Sequence, residues 1–93
     1  MVSDQLTNEV KEGRAAEQLL ENTAFKAAFE GLERQIFDQL RKVGVNDAPL
    51  QTKLVLSLQL LAAIRTSIEQ TIQTGQFAAL SLEKPSAFKR LFG

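Results

Sequence analysis

Six apolar residues, Phe25, Phe29, Leu32, Ile36, Leu40 and Val43, step along the chain by four, three, four, four and three. That spacing places all six on one stripe of an α-helix. No run of β-branched and aromatic residues alternates with period two for more than a few positions, so strands are not expected. Such a chain is constrained to an all-α fold, in which the stripe must be buried against another helix. Glu30 with Arg34, and Asp38 with Lys42, stand one turn apart in the favourable acid-first order and support the opposite, solvated face.

The limits of this helix are read from its flanks. Asn22 and Thr23 can accept the N–H bonds that a new helix leaves unpaired, which predicts a fresh start just before Phe25, with one continuous helix as the competing reading. Arg41 and Lys42 suit the negative end of the helix and Gly44 is placed to cap it, so it should stop near Val43. Residues 44–49, GVNDAP, form a turn by composition, with Asn46 or Asp47 as the next N-cap and Pro49 in the first turn, where its missing N–H is harmless. Upstream, Leu6, Val10, Ala15, Leu19 and Leu20 keep only a loose helical spacing, and Gly13 weakens it further. A short or frayed first helix is expected there, with residues 1–12 flexible.

A second long helix is expected over residues 50–74, with Gly75 as its C-cap. Its stripe is Leu50, Leu54, Leu61, Ile64 and Ile68, yet Val55, Leu56, Leu58, Leu60 and Ile72 spread apolar surface well beyond one face. One partner helix with a single stripe cannot cover that surface; either the chain's own ends fold over it or another chain does. Residues 76–82 are expected to form one or two helical turns that return Phe77, Leu80 and Leu82 to the hairpin before Pro85 interrupts. The tail, residues 83–93, carries Phe88, Leu91 and Phe92 around Lys89 and Arg90 and reads as an anchor that packs on its own domain or docks on another protein. Interfacial membrane contact is disfavoured, because so few side chains bury little area.

Composition narrows what such a domain can do. Ninety-three residues of 44% apolar content make one small domain at most. With no Cys and no His there is no disulfide, thiol nucleophile, imidazole base or zinc ligand set. Eleven Lys and Arg balance eleven Asp and Glu, which removes the global electrostatic case for a nucleic-acid binder. The first 42 residues nevertheless carry a net −2 and the remainder a net +2, an asymmetry able to orient a partner. The longest weakly charged stretch, residues 54–64, is eleven residues, well short of the roughly 20 that span a bilayer. The first ten residues, with Asp4 and Glu9, lack the basic start and apolar run of a secretory signal, so a cytosolic location is expected.

Glu17 with Glu21, and Glu30 with Glu33, are carboxylate pairs within reach of one helical turn. They sit among Lys26, Arg34 and polar residues on what should be outer faces, whereas carboxylate acid–base work needs a buried site, so no catalysis is expected. No acidic cluster has the spacing of a metal-binding loop, and neither metal nor cofactor is expected. Arg41, Lys42 and Lys53 surround the turn, but a capping and dipole role accounts for the first two without a phosphate ligand. Phe25, Phe29 and Phe37 read as core, and no Tyr or Trp is present to build a stacking platform for bases. Arg65 and Glu69 lie four apart in the most apolar helix and mark its solvent or interface edge, with Arg65 a candidate to pair with an acid on a partner. The candidate partner-binding residues are Val55, Leu58, Arg65, Ile72, Phe88, Arg90, Leu91 and Phe92.

Residues 15–35, AAEQLLENTAFKAAFEGLERQ, followed by a long helix and then by residues 75–80, GQFAAL, resemble a group of small bacteriophage-encoded helical proteins with an LLEN-x-x-F-x-x-AFE opening and a G-K/Q-x-A-x-x-x-L ending. The resemblance covers roughly residues 13–82 and rests on Leu19, Leu20, Glu21, Asn22, Phe25, Ala28, Phe29 and Glu30. Members often carry Pro after the Asn, where this chain has Thr23. It implies a phage origin and a place among virion or morphogenesis components, and it brings no catalytic residues. The expectation is thus an antiparallel helical hairpin of two long helices over residues 13–82 with short flanking helices. As a non-enzymatic phage structural or assembly protein it would bind other phage structural proteins or itself as a homo-oligomer, without small-molecule substrate, nucleic acid or membrane, in the host cytoplasm during assembly or in the virion. The rivals are a small-terminase-like DNA-packaging accessory, opposed by the zero net charge, and a phage inhibitor of a host defence or enzyme complex.

Overall fold

The computed structural model of the chain describes residues 2–83, which form three α-helices: α1 (Val2–Glu21), α2 (Thr23–Lys42) and α3 (Ala48–Glu83). No strand occurs among the described residues, so the fold is all-α as the periodicity requires. The helices divide into two units. Met1–Leu20 belongs with Ser67–Gly93 in one, and Glu21–Thr66 forms the other.

The break between α1 and α2 is a single residue. Asn22 adopts φ −67° and ψ 122°, its side chain accepts the Phe25 N–H at 2.9 Å, and its carbonyl accepts the Lys26 N–H at 3.0 Å. A fresh N-cap thus replaces the continuous helix that the sequence left open. Asn22→Ala is expected to cost about 1 kcal/mol, measurable as a lower urea midpoint with the denaturant slope unchanged.

At its other end α2 stops where its sequence predicts, but by a different device. Val43 is the C-cap, in extended conformation at φ −70° and ψ 131°, with its N–H donating to the Gln39 carbonyl at 3.0 Å. No described glycine has a positive φ, so Gly44 is not a left-handed cap. Its carbonyl instead opens the turn, accepting the Asp47 N–H at 3.0 Å and the Gln51 side-chain amide at 3.2 Å. Asp47, rather than Asn46, starts α3: its carboxylate accepts the Leu50 N–H at 3.3 Å and its carbonyl the Gln51 N–H at 3.1 Å.

Two expectations about helix length are corrected. α1 is not the short helix expected, since 20 residues from Val2 onward are helical. α3 does not end at Thr74 either; it runs 36 residues through Gly75, and Phe77, Leu80 and Leu82 continue it rather than folding back on it. Both corrections have one cause. In the unit formed by Met1–Leu20 and Ser67–Gly93, Gly13 of α1 and Gly75 of α3 are buried against one another backbone to backbone. A β-carbon on Gly13 would lie 2.9 Å from Gly75 Cα, and one on Gly75 would lie 2.8 Å from Gly13 Cα and 2.9 Å from the Glu9 carbonyl oxygen. These glycines are therefore spent on close helix approach, which stabilises both helices through the contact, and neither terminates anything. Among the described residues of this unit the Ala16 and Ala78 side chains are buried, with Leu6, Val10, Leu20, Ile68, Ile72 and Leu80 half-buried.

The unit Glu21–Thr66 contains α2 and the first half of α3. Phe29 and Leu54 are buried, and Phe25, Ile36, Leu40, Leu58 and Leu61 are half-buried. The Phe25 and Phe29 rings stand 5.7 Å apart at 40°, within the range of favourable tilted aromatic pairs. Leu32 and Phe37, expected in the core, are 48% and 50% exposed. At 100° per residue Leu32 lies 60° to one side of Phe29 and Phe37 about 80° to the other, whereas Ile36 and Leu40 stay within 20° of it. The real stripe is narrower than the one the spacing suggested.

Candidate functional site

In α3 the residues turned inward within Glu21–Thr66 are Leu54, Leu58 and Leu61, spaced by four and three. Because this inner line takes only a third of the circumference, the remaining apolar residues of 54–64 are left outside. Val55, Leu56 and Leu60 are 43%, 56% and 63% exposed, and no charged residue lies between Lys53 and Arg65. Thr52, Val55, Leu56 and Gln59, together with Gln51, line an open depression of about 310 Å³ on this outer surface. What an uncharged, apolar-centred helix face of this kind can do is pack against another surface.

Arg65 closes the same unit on its inner side. Its guanidinium donates to Glu33 at 3.1 Å and lies 4.8 Å from the centroid of the Phe29 ring. The arginine read as a partner-facing charge is therefore engaged within its own chain, by a half-exposed ion pair of the class worth at most about 1 kcal/mol and by a cation–π contact of similar size. Sequence reasoning paired Glu33 with Glu30 on an outer face and missed this contact. The signal was present: Glu33 is four residues after Phe29 and so only 40° from it on the helix, nearer the inner line than Leu32. A second ion pair joins Arg41 to Asp38 on the exposed face of α2.

Of the other candidate residues, Val55 is on the outer face and Leu58 on the inner line. Ile72 is half-buried in the other unit, where with Val10, Gly13, Arg14 and Gly75 it borders a cleft of about 120 Å³. Phe88, Arg90, Leu91 and Phe92 lie outside the described residues, as does the tail reading that rests on them. Leu56 and Leu60, which the sequence showed only as surplus apolar residues, are the most exposed of the outer face. Among the described residues, no group of three or more acidic side chains is placed to hold a metal ion, and no helix is long and apolar enough to cross a membrane. Compared with protein-family models, curated proteins and solved structures, the chain matches none.

Proposed function

We propose that the chain is a non-enzymatic bacteriophage structural or assembly protein that works through helix-mediated protein–protein contact. The observation that carries this reading is the apolar surface left uncovered. Eleven large apolar side chains are exposed among the described residues, while no large side chain is fully buried. Scattered single exposures are ordinary, but a run such as Val55, Leu56 and Leu60 on one uncharged helix face is the kind of patch that marks a partner site. The phage setting comes from the resemblance over residues 13–82, and it supports a location in the host cytoplasm during assembly or in the virion. Within this reading α2 and the first half of α3 are the antiparallel hairpin that presents the patch. The Glu33 and Phe29 contacts of Arg65 and the short turn after Val43 support that arrangement.

Mass spectrometry of purified particles and assembly intermediates tests the proposal. The chain should be present at a stoichiometry that survives density-gradient purification. Its absence from every particle fraction, together with retention on a host enzyme complex, would replace assembly with inhibition of the host.

A further inference from the structure

We infer that α1 is an exchangeable arm: one backbone torsion at Asn22 releases it from residues 67–83 of its own chain and lets it dock on the same residues of a second copy. Asn22 has φ −67°, a value within the α-helical range, and only its ψ of 122° departs, from a helical value near −42°. A rotation of about 160° about that single bond therefore converts α1 and α2 into one helix. Little in the local sequence resists it. Residues 15–30, AAEQLLENTAFKAAFE, contain neither Gly nor Pro, and Ala15, Ala16, Ala24, Ala27 and Ala28 are the strongest of helix formers. Glu21, Asn22, Thr23 and Ala24 are all exposed, so no buried side chain at the break opposes the rotation. The Lys26 N–H already donates to the Asn22 carbonyl, a helical bond that both forms share. Straightening exchanges the Phe25 bond to the Asn22 side chain for helical bonds from Thr23, Ala24 and Phe25 to the carbonyls of Leu19, Leu20 and Glu21. The bend is therefore kept by what α1 docks on.

The surface that α1 docks on is selective. At the crossing a β-carbon on Gly13 or Gly75 would fall 2.9 or 2.8 Å from the other's Cα, and three residues on each helix brings a buried alanine, Ala16 or Ala78. A helix that replaces α1 must supply the same Gly-x-x-Ala, as α1 of a second copy does. α2 cannot, because its glycine, Gly31, has Arg34 three residues on. Exchange thus reproduces between copies a contact that the single chain already makes, which is why swapping an identical element is a low-cost route to a dimer. Release is also easy. Among the described residues of this unit no side chain larger than alanine is buried, so opening uncovers only half-buried ones such as Leu6, Val10 and Leu20.

The chain has no cysteine, so Gln5→Cys with Gln35→Cys, exposed positions on α1 and α2, can carry a pair of spin labels. In one continuous helix the two backbone positions are about 45 Å apart at 1.5 Å per residue, and a bend shortens that. Pulsed electron paramagnetic resonance of the labelled chain in excess unlabelled chain, with sedimentation equilibrium alongside, reads distance and association together. Asn22→Ala removes the cap and favours the straight form at both hinges of the pair. Its dimerisation Kd should fall roughly 100-fold below that of the wild type, and the long distance should rise with the dimer. Thr23→Pro fits the first turn of α2 but blocks a helix through that point, and should abolish both signals. Gly13→Leu added to Asn22→Ala should restore the monomer, because the arm no longer fits its socket. A folded Asn22→Ala chain that is monomeric at about 200 μM, a dimer without the long distance, or a dimer that survives Thr23→Pro or Gly13→Leu overturns the exchange. Should Asn22→Ala fail to fold, the wild-type chain at about 1 mM, the effective concentration of a tethered arm, takes its place. Dimer and long distance there, both lost in Thr23→Pro, sustain the exchange, and any other result ends it.

Discussion

Phe29→Ala is expected to lower the stability of the chain by about 3 to 5 kcal/mol, a large part of the 5 to 15 kcal/mol that holds a small domain folded. Phe29 is the one buried side chain of α2, and Leu54 is the only other buried residue of its unit among those described. Removing its ring deletes the tilted contact with Phe25 and leaves the Arg65 guanidinium without its aromatic face. With so few buried neighbours there is little to collapse into the space. Urea unfolding followed by circular dichroism should show the loss as a fall in midpoint. Phe29→Leu, which keeps most of the apolar volume, should recover more than half of it. An unchanged melting temperature in the alanine variant would mean that α2 is not held to α3 through this residue.

Gly75→Ala and Gly31→Ala should change stability in opposite directions. Alanine is the better helix former by about 0.5 to 1 kcal/mol in the middle of a helix. At Gly31 a β-carbon meets nothing within 4 Å, so Gly31→Ala should gain that amount. At Gly75 the new carbon would fall 2.8 Å from Gly13 Cα and 2.9 Å from the Glu9 carbonyl oxygen, both backbone atoms with no rotamer to yield. Overpacking of this kind costs about 1 to 3 kcal/mol, enough to cancel the propensity gain and reverse its sign. Differential scanning calorimetry of the two variants decides the matter, since equal shifts upward would show that α1 and α3 do not approach through their glycines.

The contact between Gly13 and Gly75 explains why part of this fold was legible in sequence and part was not. The stripe of α2, its start at Asn22 and its end near Val43 depend on neighbours within one or two turns, and those neighbours are adjacent in the sequence. Whether a glycine ends a helix or admits another one depends on what lies across from it. For Gly75 that is Gly13, with which it shares no local signal. Leu32 and Phe37 failed as core residues for a related reason. A run of apolar positions gives the direction of a stripe, but its usable width is set by the partner helix. The candidate site was half readable: surplus apolar surface on residues 54–72 follows from counting, whereas the particular face formed by Val55, Leu56 and Leu60 required knowing that Leu54, Leu58 and Leu61 turn inward.

The crossing of Gly13 with Gly75 also orders events in time. The unit Glu21–Thr66 is closed by the turn between Gly44 and Asp47, so its helices meet after a short search through sequence. Gly13 must wait for a residue 62 positions later. Loop-closure entropy rises with that separation, and non-local contacts are slow to be rewarded. A ribosome delivers α1 before α2 and α3, yet α1 docks last. Until residues 67–83 have been made, Leu6, Val10 and Leu20 of α1 have no surface of their own unit to bury against. Between the synthesis of α1 and that of residues 67–83, α1 therefore carries uncovered apolar side chains, while the unit Glu21–Thr66 behind it can already fold.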